Sequence, residues 1–202
     1  MKKITLILSV FIFSMFIFTS CNLKEKAENA ANNMAEDIAN DIQDEINEVT
    51  NNDAFSSEKH AFSINFPAAP VESVKDVPTD VGNIAMTTYT YEESLEVAYM
   101  VAVADYPGAL IESSDPQDLL AESKGGYIGD LGLTVTKESQ KDVGGTPGLY
   151  FEAEGSDGET NYFTAVHDVL QENRLFQVAI LRTDRMPTQA EIDNFIGTFT
   201  LK

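Results

Sequence analysis

Hydrophobic and polar residues follow three different rhythms along this chain. From Ile4 to Phe18 runs an uncharged stretch, Ile-Thr-Leu-Ile-Leu-Ser-Val-Phe-Ile-Phe-Ser-Met-Phe-Ile-Phe, preceded by Lys2 and Lys3. From Asn22 to Ser56 the apolar positions thin to Ala27, Ala31, Met34, Ile38, Ile42, Ile46 and Val49 on a heavily acidic background. Their mean step of about 3.67 residues is helical and nearer an 11-residue repeat than a heptad. From residue 57 onward the pattern becomes a period of two. The chain therefore divides into a membrane-directed leader at 1–20, an acidic tether at 21–56 and one folded domain at 57–202.

The third rhythm predicts a β-rich domain. His60 to Pro67 places Phe62, Ile64 and Phe66 on one face, a strand closed by Pro67. Pro70 to Asp76 predicts a weaker extended piece. Ile84 to Glu92 and Leu95 to Tyr106 alternate as a hairpin around Glu92-Glu93-Ser94, with Val97, Tyr99, Val101 and Val103 on one side. Tyr106-Pro107-Gly108 ends that meander. Asp115-Pro116 supplies an N-cap and a first-turn proline for a helix that turns Leu119, Leu120, Tyr127 and Leu131 to the sheet.

Four more strands are predicted, at Leu133 to Val143, Leu149 to Glu154, Glu159 to Leu170 and Arg174 to Thr183. Turns at 144–148, 155–158 and 171–173 separate them. Thr188-Gln189-Ala190-Glu191 is a capping box that opens a last helix with Ile192, Phe195 and Ile196 inward and Gly197 as its stop. Thr198 to Leu201 closes the chain as an extended segment. The fold class is α+β, a central mainly antiparallel sheet flanked by helices.

Charge and cysteine usage narrow the setting. The 202 residues include 33 acidic and 13 basic side chains, for a formal charge of −20. Such a surface repels phosphate backbones, which excludes nucleic acid as a partner, and no basic patch holds the chain to a membrane. Cys21 is the only cysteine, so no intramolecular disulfide forms. A basic start, a short apolar core and the small Thr19 and Ser20 make a secretory signal.

Phe18-Thr19-Ser20-Cys21 resembles the lipobox of bacterial lipoproteins, with Phe18 where leucine is usual. The resemblance implies cleavage between Ser20 and Cys21 and a diacylglycerol on the Cys21 thiol. It implies a lipid-anchored protein of the bacterial cell envelope, with its domain outside the cytoplasm. The competing reading, an uncleaved spanning helix, needs roughly 20 apolar residues and finds a shorter run. The tether reads either as a helix offering Ile38, Ile42 and Ile46 to a partner or second copy, or as a solvated acidic spacer. Mid-segment Asn and Asp, with few i,i+4 acid–base pairs, favour the spacer.

Motifs for chemistry are sparse. His60 and His167 lack the spacing of a zinc site, and there is no G-x-S-x-G elbow, phosphate loop or dinucleotide fingerprint. No cofactor, metal or catalytic residue is implied. Glu112, Asp115 and Asp118, and separately Asp157 with Glu159, lack the spacing of a calcium loop, and Asp115 and Asp157 read better as cap and turn residues. All three arginines, Arg174, Arg182 and Arg185, fall within twelve residues. They read as a partner or anion contact, or, as the favoured alternative, as internal pairs with acids such as Asp184.

From about residue 58 to 202 the order of elements resembles the PsbP-like superfamily, which includes DcrB-like domains. The residues that carry the likeness are Phe62-Ser63-Ile64-Asn65-Phe66-Pro67, Ala104-Asp105-Tyr106-Pro107, Val143-Gly144-Gly145-Thr146-Pro147-Gly148 and Phe195-Ile196-Gly197-Thr198-Phe199. The resemblance implies a sheet flanked by helices and a role as an accessory or binding module on larger membrane or transport assemblies. It carries over no active-site residues. The expected function is thus a non-enzymatic lipoprotein that binds an envelope protein. The alternative is a small-molecule module with a cleft between sheet and helices, and the weakest reading is a hydrolase with an unrecognised site.

Overall fold

The structure is a computed structural model that describes residues 54–79, 82–112 and 114–202; the leader, Ser20, Cys21 and residues 22–53 of the tether lie outside them. Two neighbouring strands, β8 (Asn161–Gln171) and β9 (Arg174–Arg182), are buried along nearly their whole length. Continuous apolar runs of this kind belong to central strands covered on both faces. Around them lie β3 (Val71–Thr79), β4 (Gly82–Ser94), β5 (Val97–Asp105), β6 (Leu133–Gln140) and β7 (Gly148–Ser156). Together they form a seven-stranded antiparallel sheet in the order β3-β4-β5-β9-β8-β7-β6. The architecture is α+β.

The front face carries Tyr89, Val101, Val103, Phe176 and Val178. A second sheet, β1 (Phe55–Ser57), β2 (Phe62–Ile64) and β10 (Thr200–Leu201), brings Phe62 and Ile64 against it. Helix α3 (Gln189–Asn194) and a 3-10 turn at Ile196–Thr198 add Ile192, Phe195 and Ile196. The back face is covered by α1 (Gly108–Glu112) and α2 (Pro116–Asp130). Leu119 and Leu120 pack with Leu149, Leu170 and Leu175, and Tyr127 packs with Phe151 and Val166. Asp115 caps α2 as expected, its carboxylate accepting from the Gln117 N–H at 2.8 Å, and Gly125-Gly126 does not interrupt the helix.

Several boundaries differ from those the residues suggest. Phe55 and Ser56 belong to the fold, because β1 pairs with β2 and Phe55 packs on Phe62, Phe66 and Tyr89. The β4–β5 turn is not at 92–94 but at Leu95-Glu96. Pairing continues through Tyr91↔Tyr99 and, past an irregularity, Ser94↔Val97, which leaves Leu95 fully exposed at the tip. Tyr106-Pro107-Gly108 is followed at once by α1, seated through Leu110 and Ile111 beside Ile84 and Tyr106. Helix α3 stops at Asn194 and not at Gly197, because the Thr198 hydroxyl and N–H take the Phe195 carbonyl and tighten the chain into the 3-10 turn.

Strand β6 ends at Gln140, short of the predicted Val143. Beyond it Val143 and Thr146 exchange backbone bonds around Gly144 (φ 59°) and Gly145 (φ 87°), the paired positive φ that a two-residue hairpin turn needs. Gly148 has a different reason to be glycine. A Cβ there would lie 2.2 Å from the Lys141 carbonyl oxygen and 2.9 Å from His167 Nε2.

Candidate functional site

The polar chemistry of the domain falls into three groups and one surface. On the front face, the β1–β2 turn carries Ser57 and His60, both buried, against Tyr89 of β4. His60 Nδ1 lies 2.9 Å from the Tyr89 hydroxyl and 3.4 Å from Ser57 Oγ, and the two oxygens are 3.0 Å apart. Burial, with the nearby Lys59 and Arg174 charges, holds the His60 pKa below its usual value. The ring is neutral at pH 7 and ties the turn to the sheet.

The second group lies between α2 and the back face. Asp168 and Gln177 are cross-strand partners on β8 and β9, and Ser123 of α2 faces them. All three are at most 1% exposed. Both carboxylate oxygens, both amide heteroatoms of Gln177 and the Ser123 hydroxyl lack a hydrogen bond in this structure. Burial pushes the Asp168 carboxyl up to about 7, against the smaller easing effects of Ser123, Gln177 and Lys124.

The arginines form the third group. Arg174 holds Asp105 in a two-pronged pair at 2.5 and 2.8 Å. Arg182 bonds Asp184 at 2.8 and 2.9 Å and Glu191 at 2.6 Å, and Arg185 bonds Glu191 at 2.8 and 2.9 Å. Glu191 is held down to about 2, first by Arg185. Arg174 and Arg182 stand at opposite ends of β9, about 27 Å apart at the strand rise. The three residues close in sequence are thus two separate internal clusters, each matched to acids.

The histidines do not converge either. His167 is buried, with Nε2 2.7 Å from the Lys141 carbonyl oxygen. The Asp157 carboxylate is engaged in its own turn, accepting from the Glu159 and Thr160 N–H groups and the Tyr162 hydroxyl. Among the described residues no three potential ligating side chains group as a metal site, and no helix is long and apolar enough to cross a membrane.

What the fold leaves open is one end of the large sheet. Val71 (72% exposed), Val74 (57%) and Leu95 (100%) are the large apolar side chains left exposed among the described residues. All three lie on β3 or at the β4–β5 tip. Val71 pairs with Thr90, and the chain reaches Leu95 five residues further on. Around them stand Glu72, Asp76, Glu92, Glu93 and Glu96. The segment 70–76 that carries the valines reads from the sequence only as a weaker extended piece, and β3 continues beyond it to Thr79.

No protein-family model matches the sequence, and no curated protein matches it. Among solved structures, the chain is similar to cyanobacterial PsbP (CyanoP) from Synechocystis sp. PCC 6803, at 13% identity and TM-score 0.45, over 74% of this chain and 92% of that one. It is similar to a Pseudomonas aeruginosa protein of unknown function at 8% identity and TM-score 0.38, over 69% and 85% of the two chains. An immunity protein, TplEi, of the type VI secretion system of Pseudomonas aeruginosa follows at 13% identity and TM-score 0.37, over 60% and 46%. At these scores the likeness is loose, and the α+β architecture rests on the strand pairing itself.

Proposed function

We propose that this chain is a lipid-anchored lipoprotein of the bacterial cell envelope whose PsbP-like domain binds a protein partner and performs no chemistry of its own. The anchor reading rests on Lys2, Lys3, the apolar run and Phe18-Thr19-Ser20-Cys21. Two or more acyl chains give stable membrane attachment where one does not. The binding reading is carried by one observation: the large apolar side chains left exposed among the described residues lie on the β3 edge strand (Val71, Val74) and at the neighbouring β4–β5 tip (Leu95), where their burial would contribute to association. The small-molecule alternative has to open the α2 interface, where Leu120, Ser123, Asp168 and Gln177 are closed to solvent.

Photo-crosslinking amino acids placed at 71, 74 and 95 in the full-length protein, irradiated in intact cells, test the binding surface. A discrete adduct from these positions and none from Thr136 or Ser139 on the opposite edge is expected. Equal adducts from both edges, or none from either, overturn the reading. For the anchor, Cys21→Ser is expected to abolish incorporation of labelled palmitate and to release the protein from membranes.

A further inference from the structure

The two edges of the large sheet are built differently. At the β6 edge the register shifts between Val135 and Lys137, and the Lys137–Glu152 and Lys124–Glu138 pairs pin the neighbouring side chains. Bulges and charges of this kind blunt an edge against further pairing. At the β3 edge nine residues pair with β4 in unbroken register, from Val71↔Thr90 to Thr79↔Gly82, and residues 71–76 are exposed.

Pro78 reveals which backbone groups point outward. Along an antiparallel strand the N–H and C=O of successive residues point alternately to either side. Proline has no N–H, so within an edge strand it occupies a position facing away from the sheet. With no bulge between them, Glu72, Val74 and Asp76 share the outward parity of Pro78. Through Tyr89, Thr87 and Ala85, their partners on β4, these same residues belong to the front face. The open edge therefore presents free backbone groups under an acid–valine–acid rail.

We propose that β3 takes an added strand from a partner protein, and that this strand carries basic residues on either side of an apolar one. The proposal rests on the protein-binding reading above and names the mode of contact. A basic strand answers Asp76 and, beside its loose 3.7 Å pair with Lys59, Glu72, and it answers a domain with 24 acidic and nine basic residues between positions 54 and 202. A second copy of this chain does not. A two-fold pairing of β3 centred on Val74 sets Glu72 against Asp76, one centred on Lys75 sets that lysine against itself, and one centred on Ser73 sets Glu72 against Val74 and Asp76 against Pro70. No register gives either acid a base, and like charges directly opposite destabilise a pair.

A fluorescent peptide, Thr-Lys-Thr-Val-Thr-Lys-Thr, matches this rail in either strand direction. Titrated into the full-length protein in detergent, it is expected to bind roughly tenfold or more tightly than its Thr-Glu-Thr-Val-Thr-Glu-Thr counterpart. A version N-methylated at alternate residues on its bonding edge keeps the charge and is expected to lose binding. Val74→Pro, which removes one outward N–H and no bond to β4, is expected to weaken the lysine peptide while the protein melts as the wild type does. Equal binding of the lysine and glutamate peptides, or full binding of the N-methylated one, overturns strand addition. If crosslinks form at positions 71 and 95 but the peptides fail these tests, strand addition falls and the binding reading stands.

Discussion

On the front of the sheet Phe62 meets Tyr89, Phe176 and Phe199 at centroid distances of 5.5, 5.9 and 5.8 Å, and the neighbouring Ser57, His60 and Tyr89 bond one another. On the back, equally deep, Asp168 faces Ser123 and Gln177, and no polar side-chain atom of the three has a partner at full hydrogen-bond distance. Of the buried polar atoms left without a partner among the described residues, one, His167 Nδ1, belongs to the front face and five belong to this trio. The front is held by packed rings whose buried polar side chains, His167 Nδ1 apart, are matched. The back holds an apolar helix interface with a polar centre that is costly to bury unbonded. One sheet thus supports a dry core and a titratable one, separated by the thickness of its own backbone.

The comparison can be tested first where the loss should be greatest. Phe62→Ala removes a fully buried ring from the middle of the aromatic cluster. The expected cost is about 3–5 kcal/mol in urea or thermal unfolding, enough to unfold a marginal domain. A cost near 1 kcal/mol would mean that the front face repacks and is not the rigid half of the structure.

The back face should show itself through pH. Asp168 has a folded pKa of about 7 against an ordinary carboxylate value of 3.8. Between those values the unfolded chain has released this proton and the folded chain keeps it. Folding stability therefore falls as pH rises from about 4 to 7 and levels off above that. Integrated over the interval, the loss is on the order of 4 kcal/mol. Asp168→Asn, which cannot ionise, should remove this slope, and the difference between the wild-type and variant stability curves isolates it. Groups held below their usual pKa, Asp105 and Glu152 among them, act in the opposite direction: their stability is lost as pH falls. They are common to both proteins. Parallel curves would show that Asp168 ionises normally, and the back face would then resemble the front.

How much of this could be seen in the residues depends on which side of the sheet a signal came from. The Asp115-Pro116 cap and the Thr188 to Glu191 box are local patterns and lie where the sequence places them. The alternation at Phe62 and Ile64 does form a strand, but that strand ends at Ile64, short of Phe66 and the expected stop at Pro67. The strand Phe55–Ser57 was hidden because three residues carry no periodicity, and only pairing with β2 makes them a strand. The turn at Leu95-Glu96 lacks the Gly, Asn or Asp that marks a hairpin, and long-range register sets it. The back-face trio did leave a trace. Asp168 interrupts Ala165-Val166-His167-Asp168-Val169-Leu170, and Gln177 interrupts Leu175-Phe176-Gln177-Val178-Ala179-Ile180. A polar residue inside a run that is apolar on both faces is buried, but its partner on another element cannot be read from the run. For the arginines the favoured reading, internal pairing with acids such as Asp184, is what the structure shows. Their division into two clusters could not be read from nearness in sequence, because an extended strand carries its two ends far apart.

The smallest expected effect concerns the covers of the two faces. Helix α3, over the front, has six residues and α2, over the back, has fifteen. A short helix cannot sustain itself by propagation, so α3 depends more on its first turn. There the Thr188 hydroxyl donates to Glu191 Oε2 at 2.7 Å and accepts from the Glu191 N–H at 3.3 Å, while the Thr188 N–H donates to Oε2 at 2.7 Å. The same carboxylate takes Arg182 and Arg185, so the cap also fastens the end of β9. On α2, Asp115 accepts one backbone bond, and Leu119, Leu120 and Tyr127 anchor the helix independently of it. Thr188→Ala is therefore expected to cost about 1–2 kcal/mol and Asp115→Ala about 0.5–1 kcal/mol. Hydrogen exchange should sharpen the contrast: Thr188→Ala should speed exchange at Ile192 and Phe195, whose amides bond back to Thr188 and Glu191, and leave α2 unchanged. If Asp115→Ala proves the costlier change, α2 and not α3 is the cover held by its cap, and the back face owes more to that helix start than to its buried leucines.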